Sequence, residues 1–190
     1  LVSDKLFVAA NAYTGTKDIN FSIVRYGNVA GSRGSVIPFF HNILKNGGTE
    51  LPITDYRMTR FWISLTQGVE LVIKALEEAT GGETFISKIP SFKITDLAKA
   101  MLPDCTMPEV GIRPGEKLHE IMITTEDSLT TYEYDKHFIV YPQMVWNNKQ
   151  QPDLSGKKVK EGFSYSSDNN AQWLSVEEIR ELLKTVDLEK

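Results

Sequence analysis

The sequence predicts an α/β fold, and three observations carry the prediction. A short apolar run, Phe21-Ser22-Ile23-Val24, leads through a glycine-bearing stretch, Gly27 to Gly34, into the amphipathic Val36-Ile37-Pro38-Phe39-Phe40. That is the order strand, turn, helix. Further along, short apolar runs bounded by glycine or proline alternate with segments of helical periodicity. Finally, 190 residues that are 41% hydrophobic and 24% charged can bury a substantial core, and no apolar run reaches membrane-spanning length.

Residues 1–15 carry Val2, Leu6, Ala9, Ala10 and Tyr13 at helical spacing, ended near Gly15. The chain opens on Leu1 with no capping signal ahead of this pattern, so it is expected to start within a helix, as part of something larger. Residues 21–24 form a buried strand, and 36–45 a helix closed by Asn46-Gly47-Gly48. Short strands are expected at 51–53 and 60–63. Ser64 with Gln67 makes a capping box for a helix whose apolar stripe is Val69, Val72, Ile73 and Leu76. After Gly81-Gly82 the chain returns as a strand at 84–87. A helix follows at 94–102, then a strand at 109–112 that enters an Arg113-Pro114-Gly115 turn. Residues 124–160 are polar and weakly periodic, with 147–160 a loop. Ser175 and Glu178 form a second capping box, ahead of a helix with Ile179, Leu182, Leu183 and Val186 on one face.

A net charge of −4 gives no electrostatic support to a nucleic-acid partner, and nothing in the pattern calls for a membrane partner. Cys105 stands alone, which excludes an intramolecular disulfide and a cysteine-rich metal site. His41, His119 and His137 match no metal-ligand spacing, so no metal is expected. With no signal-peptide pattern in view, the expected setting is cytoplasmic. The arginines are unevenly used: five of six (Arg25, Arg33, Arg57, Arg60 and Arg113) fall in three short stretches, whereas the lysines are dispersed. Guanidinium is a planar fork of donors suited to phosphate and carboxylate, so these stretches are expected to gather around an anion. Arg25 and Arg57 are assigned to salt bridges with acids such as Asp55, and Arg60 and Arg113 to ligand contact.

The spacing Gly-x-x-x-Gly-x-x-Gly at 27, 31 and 34 is a weak signal alone. The longer stretch from Arg25 to Phe40 resembles the segment after the catalytic helix in extended short-chain dehydrogenase/reductases that act on nucleotide sugars. More narrowly it resembles the inverting UDP-N-acetylglucosamine 4,6-dehydratases of pseudaminic acid biosynthesis. Residues 53–63 (Ile-Thr-Asp-Tyr-Arg-Met-Thr-Arg-Phe-Trp-Ile), 111–120 (Gly-Ile-Arg-Pro-Gly-Glu-Lys-Leu-His-Glu) and 165–170 (Tyr-Ser-Ser-Asp-Asn-Asn) match the same family in the same order.

The resemblance implies the C-terminal part of an NAD(P)-binding Rossmann-type sheet plus a small mixed α/β substrate-binding domain. Residues 1–48 would end the nucleotide-binding domain and 49–190 form the substrate-binding region, with 64–102 packing back onto the nucleotide-binding sheet. It further implies that Asn28 hydrogen-bonds the sugar nucleotide, and that Val29, Ala30, Gly31, Ser32 and Arg33 line the nicotinamide end of an NADP site. Arg60 and Arg113 would clamp the UDP diphosphate, with Glu116 on the uridine or ribose; a helix-terminal role for Glu116 is the alternative. Asn169 and Asn170 stay open between the site and a turn.

No catalytic residue is expected within the chain, because the family's Tyr-x-x-x-Lys pair aligns just before Leu1, and the preceding strands with its glycine-rich pyrophosphate turn are missing as well. Tyr13 with Lys17 and Tyr132 with Lys136 share the spacing but not the helical setting, and are read as coincidences. The implied reaction of the whole enzyme is oxidation at C4, loss of water across C5–C6 with inversion at C5, and hydride return to C6. Its implied partners are a UDP-sugar, the missing N-terminal nucleotide-binding half and, when complete, further copies in a homo-oligomer. The chain alone is expected to be inactive. Alternatives are another nucleotide-sugar epimerase or dehydratase, a non-catalytic UDP-sugar-binding module, or a structural domain that keeps these stretches for packing.

Overall fold

A computed structural model describes residues 2–144 and 154–186; the part of the 147–160 loop at 147–153 lies outside them. In chain order the elements are α1 (Val2–Ala10), β1 (Ile23–Arg25), β2 (Asn28–Val29), α2 (Val36–Lys45), β3 (Thr59–Ile63), α3 (Leu65–Glu78), β4 (Thr84–Ser87), β5 (Ser91–Lys93) and α4 (Ile94–Met101). Then follow β6 (Ile121–Ile123), β7 (Thr131–Glu133), β8 (His137–Val140), β9 (Lys157–Lys158), β10 (Tyr165–Ser166) and α5 (Val176–Leu183). This is the α/β chain the sequence predicts. It divides into two compact units, each drawn from three separate segments.

The first unit comprises Leu1–Tyr26, Thr66–Lys88 and Met122–Tyr165. Its sheet has the order β1-β4-β8-β7-β9, with β1 parallel to β4 and the remaining pairs antiparallel. Phe85, at the centre of β4, faces Val24 on one side and Ile139 on the other. Leu71 and Ala75 of α3 pack with Phe85, Ile139 and Tyr141 to form the core. Asn11 is buried just beyond α1. Its amide donates to the carbonyls of Val8 and Phe21 and accepts from the Phe21 N–H, tying the helix end to the chain entering β1. Gly81 has φ of 125°, and a Cβ there would meet Asn11 Oδ1 at 2.9 Å, so both conformation and space demand glycine.

Two expectations are corrected here. The apolar stripe assigned to α3 is its outer side: Val72 is 40% and Leu76 79% exposed, and Val69 and Ile73 are exposed too. Gly68, Leu71 and Ala75 are the buried face. Apolar residues occur around much of this helix, and the face with the smaller side chains is the one packed inward. The stretch read as polar and weakly periodic contains β7 and β8, a hairpin whose strands of three and four residues are too short to establish alternation. β8 is central in its sheet and reads as a compact apolar run, Phe138-Ile139-Val140, between His137 and Tyr141.

The second unit comprises Gly27–Leu65, Ile89–Ile121 and Ser166–Lys190. β3 is its centre, parallel to β2 and antiparallel to β5, and buried at every position. Trp62 meets Phe92 edge-on, with ring centroids 5.6 Å apart. Ile37 and Phe40 of α2, Leu97 of α4 and Ile179 of α5 complete one core. Ser175 and Glu178 make the expected capping box on α5. The strands expected at 51–53 and 109–112 are reduced to isolated bridges, Glu50 with Thr106 and Ile53 with Glu109. Leu51 and Ile53 are fully enclosed, whereas Val110 and Ile112 are exposed.

His137 is buried in the first unit, its imidazole stacked on Tyr134 with centroids 4.8 Å apart, and its Nε2 has no hydrogen-bond partner. Burial, reinforced by Lys74 and Lys88 and opposed by Glu78, pulls its pKa below the ordinary 6.5. The folded state therefore holds the neutral form, and its stability contribution is lost as pH falls below 6.5, where the unfolded chain takes up the proton first. The thermal midpoint is expected to drop between about pH 7 and about pH 5 and the drop to shrink in His137→Leu, as followed by circular dichroism. An identical pH profile in the variant would exclude His137 as the cause.

Candidate ligand cavity of the second unit

β2 ends in a turn that starts α2 and shapes one wall of a cavity. The Ala30 N–H donates to the Ile63 carbonyl, Ser32 N–H to Val29, and Ser35 N–H to Ser32, so the turn is closed by its own backbone. Gly34 has φ of 74° with open space where a Cβ would sit; it is glycine for its conformation. Ser35 caps α2 by position, but its Oγ is buried with no hydrogen-bond partner.

The cavity holds about 720 Å³, within the range of small-molecule sites. Of the residues singled out from sequence, Asn28, Val29, Ala30, Arg60, Arg113 and Glu116 all line it. Gly31, Ser32 and Arg33 do not. Aromatic side chains that sequence reasoning did not single out for the site, Phe39, Trp62 and Phe92, supply apolar wall, together with Met58. Phe39 sits within a recognised stretch and is 46% exposed; that inward-facing helical position and outward exposure could not be separated by periodicity.

The four polar residues differ in how far they are committed. Arg60 is buried, and its Nη1 donates to the carbonyls of Thr59 (2.7 Å) and Leu118 (3.1 Å), its Nη2 to that of Lys117 (2.8 Å). Its Nε lies 3.7 Å from Glu120 Oε1. Burial lowers its pKa from the ordinary value, while Glu120 and Glu116 pull it back up. The fork expected to face a ligand is thus largely spent on the chain that carries Arg113. Arg113 itself is exposed, and its guanidinium pairs with no described residue. Its backbone N–H donates to Glu116 Oε2 (3.2 Å) and the Glu116 N–H returns to the Arg113 carbonyl (3.0 Å). Glu116 therefore braces the turn as well as lining the cavity. Asn28 is exposed, and its amide offers both a donor and an acceptor.

Arg57 and Arg25 have the structural roles assigned to them. Arg57 grips Asp55 through Nε (3.0 Å) and Nη2 (2.7 Å), and Arg25 bridges Asp4 and Asp127. Asn169 accepts from the Ser166 N–H within its own turn, whereas Asn170 donates to the Ile89 carbonyl and Ser91 Oγ, tying its loop to the chain entering β5; neither lines the cavity. Among the described residues no cluster of histidine, cysteine, aspartate and glutamate could hold a metal ion. No described helix is long and apolar enough to cross a membrane.

An α/β chain whose cavity combines an aromatic wall with arginine, asparagine and glutamate has the chemistry suited to an anionic small molecule. The chain is a member of the polysaccharide biosynthesis protein family, which it matches over residues 1–142. It is 54% identical to the UDP-N-acetylglucosamine 4,6-dehydratase (inverting) of Campylobacter jejuni, across 96% of this chain and 57% of that protein. It is 33% identical to the UDP-glucose 4-epimerase of Rickettsia rickettsii, across 97% of this chain and 55% of the relative. Its fold superposes on the crystal structure of Pen from Bacillus thuringiensis with a TM-score of 0.81 at 36% identity, covering 98% of this chain and 55% of Pen. The chain thus spans a little over half the length of these relatives.

Asp55 anchors the turn that brings Thr54 and Met58 to the cavity: it also accepts from the Arg57 N–H, and its carbonyl accepts from Met58. Hydrogen bonds from Arg57 hold its carboxyl at about 2, against an ordinary 3.8. The contribution is complete above pH 3.8 and is lost as pH falls through about 2. Asp55→Asn is expected to lower the thermal midpoint at neutral pH and flatten its decline in acid. Superimposable melting curves across that window would remove Asp55 from the turn's support.

Proposed function

We propose that this chain supplies the substrate-side half of a nucleotide-sugar 4,6-dehydratase that converts UDP-N-acetylglucosamine to a 4-keto-6-deoxy sugar nucleotide with inversion at C5. The observation that carries the reading is the convergence of Asn28, Arg60, Arg113 and Glu116, from distant parts of the sequence, on one cavity. The similarity to the Campylobacter dehydratase gives that cavity its substrate class.

In this reading Arg113, unpaired and exposed, takes the UDP diphosphate through its planar fork. Arg60 contributes positive potential and the donors its carbonyl partners leave free. Asn28 offers donor and acceptor to the sugar, and Glu116 reaches the uridine or ribose from the turn it braces. The aromatic wall excludes water from the apolar faces of the ligand.

Residues 1–48 then end a nucleotide-binding domain, 49–190 form the substrate-binding region, and 64–102 pack back onto the nucleotide-binding sheet. NADP fits the open side of the Asn28 turn in part. The N–H groups of Ala30 and Ser32 are already used, whereas the Arg33 guanidinium and Ser32 hydroxyl are exposed and able to hold it alongside Val29, Ala30 and Gly31. When bound, NADP supplies the hydride acceptor and donor for oxidation at C4 and reduction at C6. The residues of this chain orient the sugar; the tyrosine and lysine that move protons would come from the upstream half, so the chain alone is inactive. A cytoplasmic setting and assembly into a homo-oligomer complete the proposal. The similarity to a UDP-glucose 4-epimerase supports a second reading, in which the same cavity serves a different UDP-sugar.

The test is calorimetric titration with UDP and UDP-N-acetylglucosamine, followed by assay of 4-keto sugar formation once an upstream nucleotide-binding half is joined. Binding and product are expected. Product from UDP-glucose alone favours the epimerase-like reading, and binding without product a non-catalytic module. Arg113→Lys is expected to weaken UDP by about tenfold, because a point charge replaces a bidentate fork. Unchanged affinity would remove Arg113 from the site.

A further inference from the structure

The stretch from Tyr165 to Asn170 has no part in the reading above, yet it contains a fully buried serine tied to the cavity's framework. The Ser167 N–H donates to the Glu120 carbonyl (2.8 Å), and Ser167 Oγ accepts from the Glu120 N–H (2.9 Å). The same Oγ lies 2.6 Å from Thr59 Oγ1, which lies 2.8 Å from His119 Nδ1. Thr59 also donates its N–H to the Leu118 carbonyl, the one that Arg60 Nη1 grips. Every residue from 118 to 120 is thereby fastened to β3 or to Ser167. The two hydroxyls share one hydrogen bond; Ser167 Oγ also donates to the Thr59 carbonyl (3.2 Å), and Thr59 Oγ1 pairs with His119 Nδ1.

Thr59, His119 and Ser167 are not part of the cavity lining. The segment they fasten is the stem of the Arg113–Glu116 turn, which does line it. Among the described residues that turn has its own reciprocal hydrogen bonds and a glycine at φ of 83°; the Val110 N–H, donating to the Ile53 carbonyl (2.8 Å), holds it on one side and this stem on the other.

We propose that Thr59 and Ser167 are positioning residues: without touching ligand, their hydroxyls hold the stem in the register that presents Arg113 and Glu116 to a diphosphate. The ligand half of this statement rests on the UDP-sugar reading; the stem half does not.

Three variants of the full chain test it. Thr59→Val keeps volume and removes the hydroxyl, Thr59→Ser keeps the hydroxyl, and Ser167→Ala removes the second hydroxyl. Two measurements are made: amide hydrogen exchange over residues 113–120 without ligand, and UDP affinity by calorimetry. Thr59→Val and Ser167→Ala are expected to exchange faster over that segment and to bind UDP about threefold to tenfold more weakly, the scale of a hydrogen bond's net contribution passed on to the turn. Thr59→Ser is expected to behave as the parent. In the enzyme with its upstream half, KM for the sugar nucleotide should rise while kcat holds.

Parent-like exchange in Ser167→Ala overturns the proposal, as does Thr59→Ser failing as badly as Thr59→Val, which would assign the effect to packing. Should Thr59→Val not fold, Ser167→Ala decides. If the parent chain does not bind UDP, the substrate reading fails while the exchange measurement still judges the positioning claim.

Discussion

The second unit depends on a cation taken out of water. Arg60 lies in a strand buried at every position, and a guanidinium there is tolerable only if its donors are met. Three carbonyls, from Thr59, Lys117 and Leu118, take up most of them, and the Glu120 carboxylate lies 3.7 Å from Nε. The chain beyond Arg113 consequently has little freedom: moving it away from β3 would strand a desolvated charge. Packing alone would let this loop slide, whereas a planar donor fork fixes both distance and angle.

Seen this way, the arginines divide by what neutralises them. Arg25 is answered by two aspartates and Arg57 by one, and these hold chain to chain. Arg60 is answered by backbone oxygen, with Glu120 more distant, and so keeps more of its positive potential near the cavity. Arg113 is answered by no described side chain. In a protein of net charge −4, a cavity bordered by incompletely neutralised guanidinium groups is a local reversal of sign, and an anion is what such a reversal attracts.

Much of this was legible in advance, for identifiable reasons. Helix α2 has a strong apolar face, a glycine-rich entry and a glycine stop, and its bounds match expectation. The capping box on α5 is encoded by two residues at fixed separation. Arg60 could be placed at the cavity but not apportioned between ligand and loop, because its carbonyl partners sit 57 and 58 residues away and backbone oxygen leaves no mark in a sequence. The α3 stripe misled for another reason. A helix with apolar residues on several faces does not say which one its own sheet will cover, and here the smaller side chains go inward. The β7–β8 hairpin escaped because three or four residues cannot display a period.

The interleaving of the two units has a consequence for how the protein comes into being. Synthesis delivers the strands out of spatial order: β1 emerges early but meets β4 only after the second unit's first segment has been made, and β8 arrives more than fifty residues later still. Ile179, enclosed in the second core, follows α4 by more than seventy residues. A ribosome-bound chain halted at residue 120 would therefore hold neither core complete, with the edge of β4 that pairs with β8 and the face of α4 that packs on α5 bare. Such a nascent chain calls for a chaperone to shield it until α5 arrives.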